Sequence, residues 1–116
     1  MVNAFLRASR AGDFAALVNI LDPHVAVKAD AEALRVGATE LAGADAVGKH
    51  YTERARGAVM AWLDGAPGAV WAPGGRPKVA LRFHVRGGRI TGIQLVADPQ
   101  VLQRRDLIIT ESSPAP

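Results

Sequence analysis

Apolar side chains recur three and four positions apart through the opening of the chain. Val2, Phe5, Leu6 and Ser9 fall on one helical face, and Phe14, Leu17, Val18 and Leu21 fall on another. Between the two stripes, Ala11-Gly12-Asp13 supplies a helix stop and then an N-cap. Asp22-Pro23 predicts the end of the second helix, because proline disfavours helical backbone in the residue before it. At His24 the period changes to two. Val25, Val27 and Ala29 alternate with His24, Ala26, Lys28 and Asp30, which predicts a strand. A third helix is expected from Ala44 to Arg56, where Val47, Tyr51 and Ala55 lie four apart and Lys49, Glu53, Arg54 and Arg56 stay solvated. Asp45 suits its first turn and Gly57 its end.

Beyond Gly57 the pattern is that of strands: Val59 to Leu63, Ala69 to Ala72, Val79 to Val85 and Arg89 to Ala97. The intervening turns are Asp64-Gly65-Ala66-Pro67-Gly68, Ala72-Pro73-Gly74-Gly75-Arg76-Pro77 and Arg86-Gly87-Gly88, the last being a tight-hairpin signal. Val101-Leu102 forms a short apolar anchor after Asp98-Pro99. Helices first and a strand meander afterwards predict an α+β domain. A twisted antiparallel or mixed sheet curls into a cone around the N-terminal helices, with one face of each strand inward.

A chain of 116 residues, 49% apolar and 22% charged, has material for one core. The domain is expected over residues 1–111, with 112–116 as a disordered tail. No apolar run approaches the roughly 20 residues of a membrane-spanning helix, and the first ten residues lack a secretory-signal pattern. The absence of cysteine excludes disulfides, thiolate-bound zinc and thiol catalysis, and suits a reducing cytoplasm. Fourteen basic against eleven acidic residues leave a net charge of +3, but only Arg104-Arg105 are adjacent and aromatics make up 5%. A continuous phosphate-tracking stripe lacks material, so direct nucleic-acid binding is not expected.

Three stretches near the start, Phe5-Leu6-Arg7-Ala8, Gly12-Asp13-Phe14-Ala15-Ala16-Leu17 and Leu21-Asp22-Pro23-His24-Val25, resemble the opening of SnoaL-like domains of the nuclear transport factor 2-like superfamily. The resemblance continues through Gly43-Ala44-Asp45-Ala46-Val47, Asp64-Gly65-Ala66-Pro67-Gly68 and Gly88-Arg89-Ile90-Thr91-Gly92-Ile93. It is strongest toward the C-terminal domain of extracytoplasmic-function sigma factors. Where that group ends in Asn-Pro-Asp-Lys-Leu, this chain has Asp98-Pro99-Gln100-Val101-Leu102, and Ala31-Glu32-Ala33-Leu34 replaces a glycine-rich stretch. The resemblance implies a cone-shaped fold and a regulatory or ligand-binding role in transcription initiation. Sigma-factor core regions or RNA polymerase would then be partners.

The resemblance also implies candidate chemistry. Asp30 ends the first strand, near where superfamily isomerases hold a carboxylate at the cone mouth, and it is the acid/base candidate. The resemblance implies that Phe5 or Leu6 and Val79 or Ala80 stand in place of the oxyanion donors of such an enzyme. Tyr51 and His84 are the remaining catalytic candidates, although His84 alternates with Phe83 and faces outward if Phe83 faces the core. Phe5, Leu17, Tyr51, Trp62 and Phe83 are expected to line a hollow for a hydrophobic small molecule. His24, His50 and His84 lack metal-ligand spacing, no serine sits in a nucleophile elbow, and no phosphate-binding loop is present, so no metal or cofactor is implied. Trp62 and Trp71, on strands joined by the Asp64 to Gly68 turn, are in range of cross-strand pairing and line the pocket or cover the outer sheet face.

The leading expectation is therefore a regulatory accessory domain. One alternative is a stand-alone SnoaL-like isomerase, cyclase or hydrolase using Asp30 with Tyr51 or His84. The other is a homodimeric interaction module built on Trp62, Trp71 and the outer face.

Overall fold

A computed structural model describes residues 1–52, 54, 58–103 and 107–109. Arg56 and Gly57 at the expected end of the third helix, the Arg104-Arg105 pair and the tail 112–116 lie outside those residues.

The first helix, α1, runs Val2–Ala11 and buries Val2, Phe5, Leu6, Ala8 and Ser9. Gly12 ends it in the left-handed conformation (φ 68°), donating to carbonyls of the last turn. Asp13 caps α2 (Phe14–Ile20), its carboxylate accepting from the Ala16 amide at 3.1 Å. The chain then becomes extended earlier than Asp22-Pro23 suggests. β1 covers Leu21–Ala29, so Pro23 lies inside a strand. That position is tolerated where β1 departs from regular pairing, for its register against β6 (Arg89–Val96) shifts between Leu21 and Ala26. A helix not anticipated from the pattern, α3, follows at Ala31–Arg35. The two-residue strand β2 (Leu41–Ala42) then leads into α4, Ala44–Tyr51, which is shorter than expected.

β3 (Ala58–Leu63), β4 (Ala66–Trp71), β5 (Val79–Arg86) and β6 form the expected antiparallel meander. The β3–β4 connection is only Asp64-Gly65, both at positive φ, rather than the five-residue loop read from the sequence. Gly87-Gly88 closes the β5–β6 hairpin as expected. The short helix α5 (Pro99–Leu102) and the strand β7 (Leu107–Ile109) complete the described elements. The sheet order is β2-β1-β6-β5-β4-β3-β7, antiparallel throughout except for the parallel β1–β6 joint. The fold class is therefore α+β with a mixed sheet. Register shifts in the β1–β6 and β5–β6 pairs bend that sheet.

The bent sheet carries apolar side chains on both faces. Its inner face packs Val25, Val27, Ala69, Leu81, Ile90, Ile93 and Leu95 against Phe5, Leu6 and Leu17 of the helical hairpin and Val47 and Tyr51 of α4. Each large side chain so buried contributes about 1.5–3 kcal/mol. On the outer face Val59, Ala61, Leu63, Val70, Ala72, Ala80 and Val96 form a second buried cluster, against which Val101 and Leu102 of α5 pack. The Val101-Leu102 anchor thus covers part of the outer face.

A side chain at Gly68 has no room there. A Cβ would stand 2.5 Å from Leu63 Cδ1 and 2.9 Å from the Leu81 carbonyl oxygen. The leucine can turn aside, whereas the carbonyl is held in the β4–β5 ladder. Gly68→Ala is expected to destabilise the fold by about 1–3 kcal/mol in urea denaturation, and an unchanged midpoint would contradict this packing.

Candidate functional site

The inner face is not completely filled. Between the end of α4 and strands β3, β4, β5 and β6 lies a hollow of about 180 Å³ lined by Ala38, Tyr51, Arg54, Ala58, Trp71, Val79, Leu81 and Leu95. Its residues come from six parts of the chain, and each is placed for a local reason. Tyr51 ends α4 on the stripe begun by Val47. The buried Ser9 hydroxyl of α1 donates to the Tyr51 carbonyl, and the Arg10 guanidinium donates to the Ala58 carbonyl at 2.6 Å. Polar contacts from α1 therefore hold both sides of the hollow. Trp71 pairs with Ala58 and Val79 in the ladder, which brings its ring to the inner face.

Tyr51 is the polar group set deepest in this wall. Its ring meets Phe5 edge-on at 5.5 Å, and Phe5 in turn meets Phe83 at 5.1 Å. Its hydroxyl has no hydrogen-bond partner among the described residues. Burial raises its pKa to about 12, so it presents a neutral donor and acceptor throughout the physiological range. The neighbouring His50 ring lies 4.9 Å away, and its pKa is lowered by burial and then by the charge of Arg54. An imidazole that resists protonation and a neutral phenol thus lie side by side at the end of α4.

Asp30 serves a different place. It N-caps α3 by accepting from the Ala33 amide at 2.8 Å, and the same carboxylate accepts from the Ala97 amide at 3.1 and 3.2 Å and the Asp98 amide at 3.2 Å. Three backbone donors from two chain segments converge on it. His84 is exposed on the outer face, its ring beside Gly92. Neither Asp30 nor His84 lines the hollow that contains Tyr51, so the three catalytic candidates are not brought together.

The five expected lining residues are also divided. Tyr51 lines the hollow, while Phe5 and Leu17 are fully buried core. Phe83 is partly buried behind Phe5. Trp62 is 44% exposed, and the ladder pairs it with Pro67 whereas Trp71 pairs with Ala58. The two tryptophans are not cross-strand partners, and both lie on the inner side of the sheet instead of its outer face. Trp71 takes the pocket-lining one of its two expected places, whereas Ala38, Val79 and Leu95 were not singled out as lining residues. The alternation of β5 and β6 places Val79 and Leu95 inward, but only the pairing registers show that they meet Trp71 around one space.

No family model matches the chain, and no curated protein matches it. Solved structures do. The extracytoplasmic function sigma factor SigJ of Mycobacterium tuberculosis superposes with a TM-score of 0.65 at 21% identity over 85% of this chain. The match spans only 42% of the sigma-factor chain. An NTF-2 like protein of unknown function from Burkholderia xenovorans aligns over 97% of this chain and 84% of its own, with a TM-score of 0.55 and 17% identity. An LEH-like epoxide hydrolase of M. tuberculosis aligns over 87% of this chain and 82% of its own, with a TM-score of 0.53 and 21% identity. These likenesses establish a nuclear transport factor 2-like fold.

Two measurements check the site. Because the chain has a single tyrosine, ultraviolet titration should show tyrosinate forming with a midpoint near 12 in the folded protein and near 10 in denaturant. The corresponding stabilisation is complete below about pH 10 and is lost as pH rises through about 12, since the folded state then holds a proton the unfolded chain releases. Asp30→Ala should cost about 2–4 kcal/mol of stability, and Asp30→Asn distinctly less because an amide oxygen still caps α3. Equal stabilities of the alanine variant and the parent would show that the carboxylate does not clamp these segments.

Proposed function

We propose that this chain is a regulatory ligand-binding domain, similar to the SnoaL-like accessory domain of an extracytoplasmic-function sigma factor, in which a small apolar molecule occupies the hollow beneath Tyr51. The observation carrying the ligand half is a mostly apolar cavity whose deepest polar group is one neutral phenol. Such a site orients a ligand through one hydrogen bond and holds it through contact area. Asp30, the carboxylate suited to proton transfer, instead spends its oxygens on the Ala33, Ala97 and Asp98 amides. That geometry favours binding over turnover.

Support for the transcriptional half comes from the likeness to SigJ together with the motif series from Phe5 to Ile93. In this reading the domain acts in the cytoplasm, and its partners are sigma-factor core regions or RNA polymerase. Occupancy of the hollow would alter the packing of Ala38 and Val79, which line it and adjoin α3 and the Arg76 to Lys78 segment in the chain, and hence the surface offered to those partners. Reading the gene upstream of Met1 tests this half. Sigma regions are expected in the same frame, and a native start at Met1 without them would end the transcriptional reading.

The ligand half is tested by thermal shift against a panel of hydrophobic metabolites, since a molecule that binds only the folded state raises its melting temperature. At a concentration 100 times Kd the gain is about 2.7 kcal/mol. Val79→Phe, which places a ring in the hollow, should abolish the shift while leaving the circular dichroism spectrum unchanged. A panel hit that shifts the parent and this variant equally would place binding elsewhere.

A further inference from the structure

The small hollow has a neighbour across Trp71 and Val79. Those two side chains also line a wider cleft of about 540 Å³, whose other walls include Val36, Arg76, Lys78, Ala97 and Leu102. The two spaces differ in character. The inner one has room for a single ring, since about 150 Å³ of apolar cavity accepts benzene. The outer one has apolar walls and a basic margin. Arg76 and Lys78 are both exposed, and neither pairs with a carboxylate among the described residues. Glu32, the acid on the cleft, is already held by Arg35 at 2.6 Å. Arg54 adds a further cation at the edge of the inner hollow.

The basic segment is held in place by backbone. The Lys78 amide donates to the Trp71 carbonyl at 2.8 Å, and the turn at Pro73–Gly75 bends the chain back so that Val79 pairs with Trp71. Consequently Trp71 stands between a ring-sized apolar space on one side and two exposed cations on the other.

We propose that the two adjoining spaces together take an amphiphilic monocarboxylate that crosses the rim at Trp71, with a ring or short branched chain beneath Tyr51 and the carboxylate at Arg76 and Lys78. This specifies the ligand class for the regulatory reading above and rests on it. An apolar molecule with no charge uses the inner hollow alone. An anionic amphiphile uses both, and gains two charge-assisted contacts at an exposed margin. A cationic head group would meet repulsion from Arg54, Arg76 and Lys78.

Isothermal titration with phenylbutyrate, the matching phenylbutanol and the matching phenylbutylamine tests the assignment on the intact protein. The acid is expected to bind roughly five- to tenfold more tightly than the alcohol, as two exposed charge contacts allow, with the amine weakest. That advantage should disappear in the Arg76→Ala/Lys78→Ala variant and shrink in the parent as salt is raised, while alcohol binding stays the same. The salt series reads the same charge contact without any substitution, so misfolding of the variant would not obscure the result. Equal binding of acid and alcohol, or tightest binding of the amine, would overturn the monocarboxylate and leave the apolar hollow intact as a ligand site. If none of the three binds at millimolar concentration, the inference and the ligand reading beneath it both fail.

Discussion

The parallel joint between β1 and β6 is the contact on which the remainder of the architecture depends. Every other strand pair is antiparallel and several are closed by short turns, so the meander is largely assembled from near neighbours. The β1–β6 pair instead unites residues nearly seventy positions apart, such as Ala29 and Leu95. It is secured at its end by Asp30, whose amide donates to the Leu95 carbonyl and whose carboxylate receives Ala97 and Asp98. A charged acceptor with backbone donors is among the stronger hydrogen-bond arrangements available at a partly buried site. It fixes where α3 begins and where the chain leaves β6 for α5. The residue best suited by position to proton transfer is therefore occupied in holding the sheet together.

That joint brings the N-terminal hairpin over the concave face, and the placement of the hollow follows. Phe5 fills the centre, touching Tyr51 on one side and Phe83 on the other. Space remains beyond Tyr51, where Ala38 and Ala58 are small and Trp71 reaches outward. Ser9 and Arg10 stabilise that edge by bonding to carbonyls at the end of α4 and the start of β3. The cavity is thus bounded by contacts from α1, although no side chain of α1 lines it.

The two faces of the sheet divide their tasks. The inner face carries the core and the hollow. The outer face is apolar along β3, β4 and part of β5 and β6, with Val101 and Leu102 against it, and polar around Arg82 and His84. Arg82 meets Asp64 at 2.5 Å there, tying the β3–β4 turn to β5. The tryptophans, whose strand positions allow either the pocket or the outer face, stand on the inner side, where Trp71 lines the hollow.

Periodicity was a reliable guide wherever a residue's role depends on near neighbours. The stripes of α1 and α2, the cap at Asp13, the meander and the Gly87-Gly88 turn are all legible in the chain, because helix and strand periods and turn conformations are local properties. The helix after Asp30 was also within reach, for an acidic cap followed by Ala-Glu-Ala-Leu-Arg is a helix start. Other features were not. Whether Asp30 acts as acid or as clamp, which tryptophan meets the hollow, and how Arg76 and Lys78 come beside Trp71 depend on strand register, which joins residues far apart in sequence. Sequence alone determined the class of fold and the composition of its faces, since these follow from the alternation of oily and polar side chains. Tertiary structure decided the site, because a cavity is the space left when distant segments pack, and no local pattern encodes what they leave unfilled.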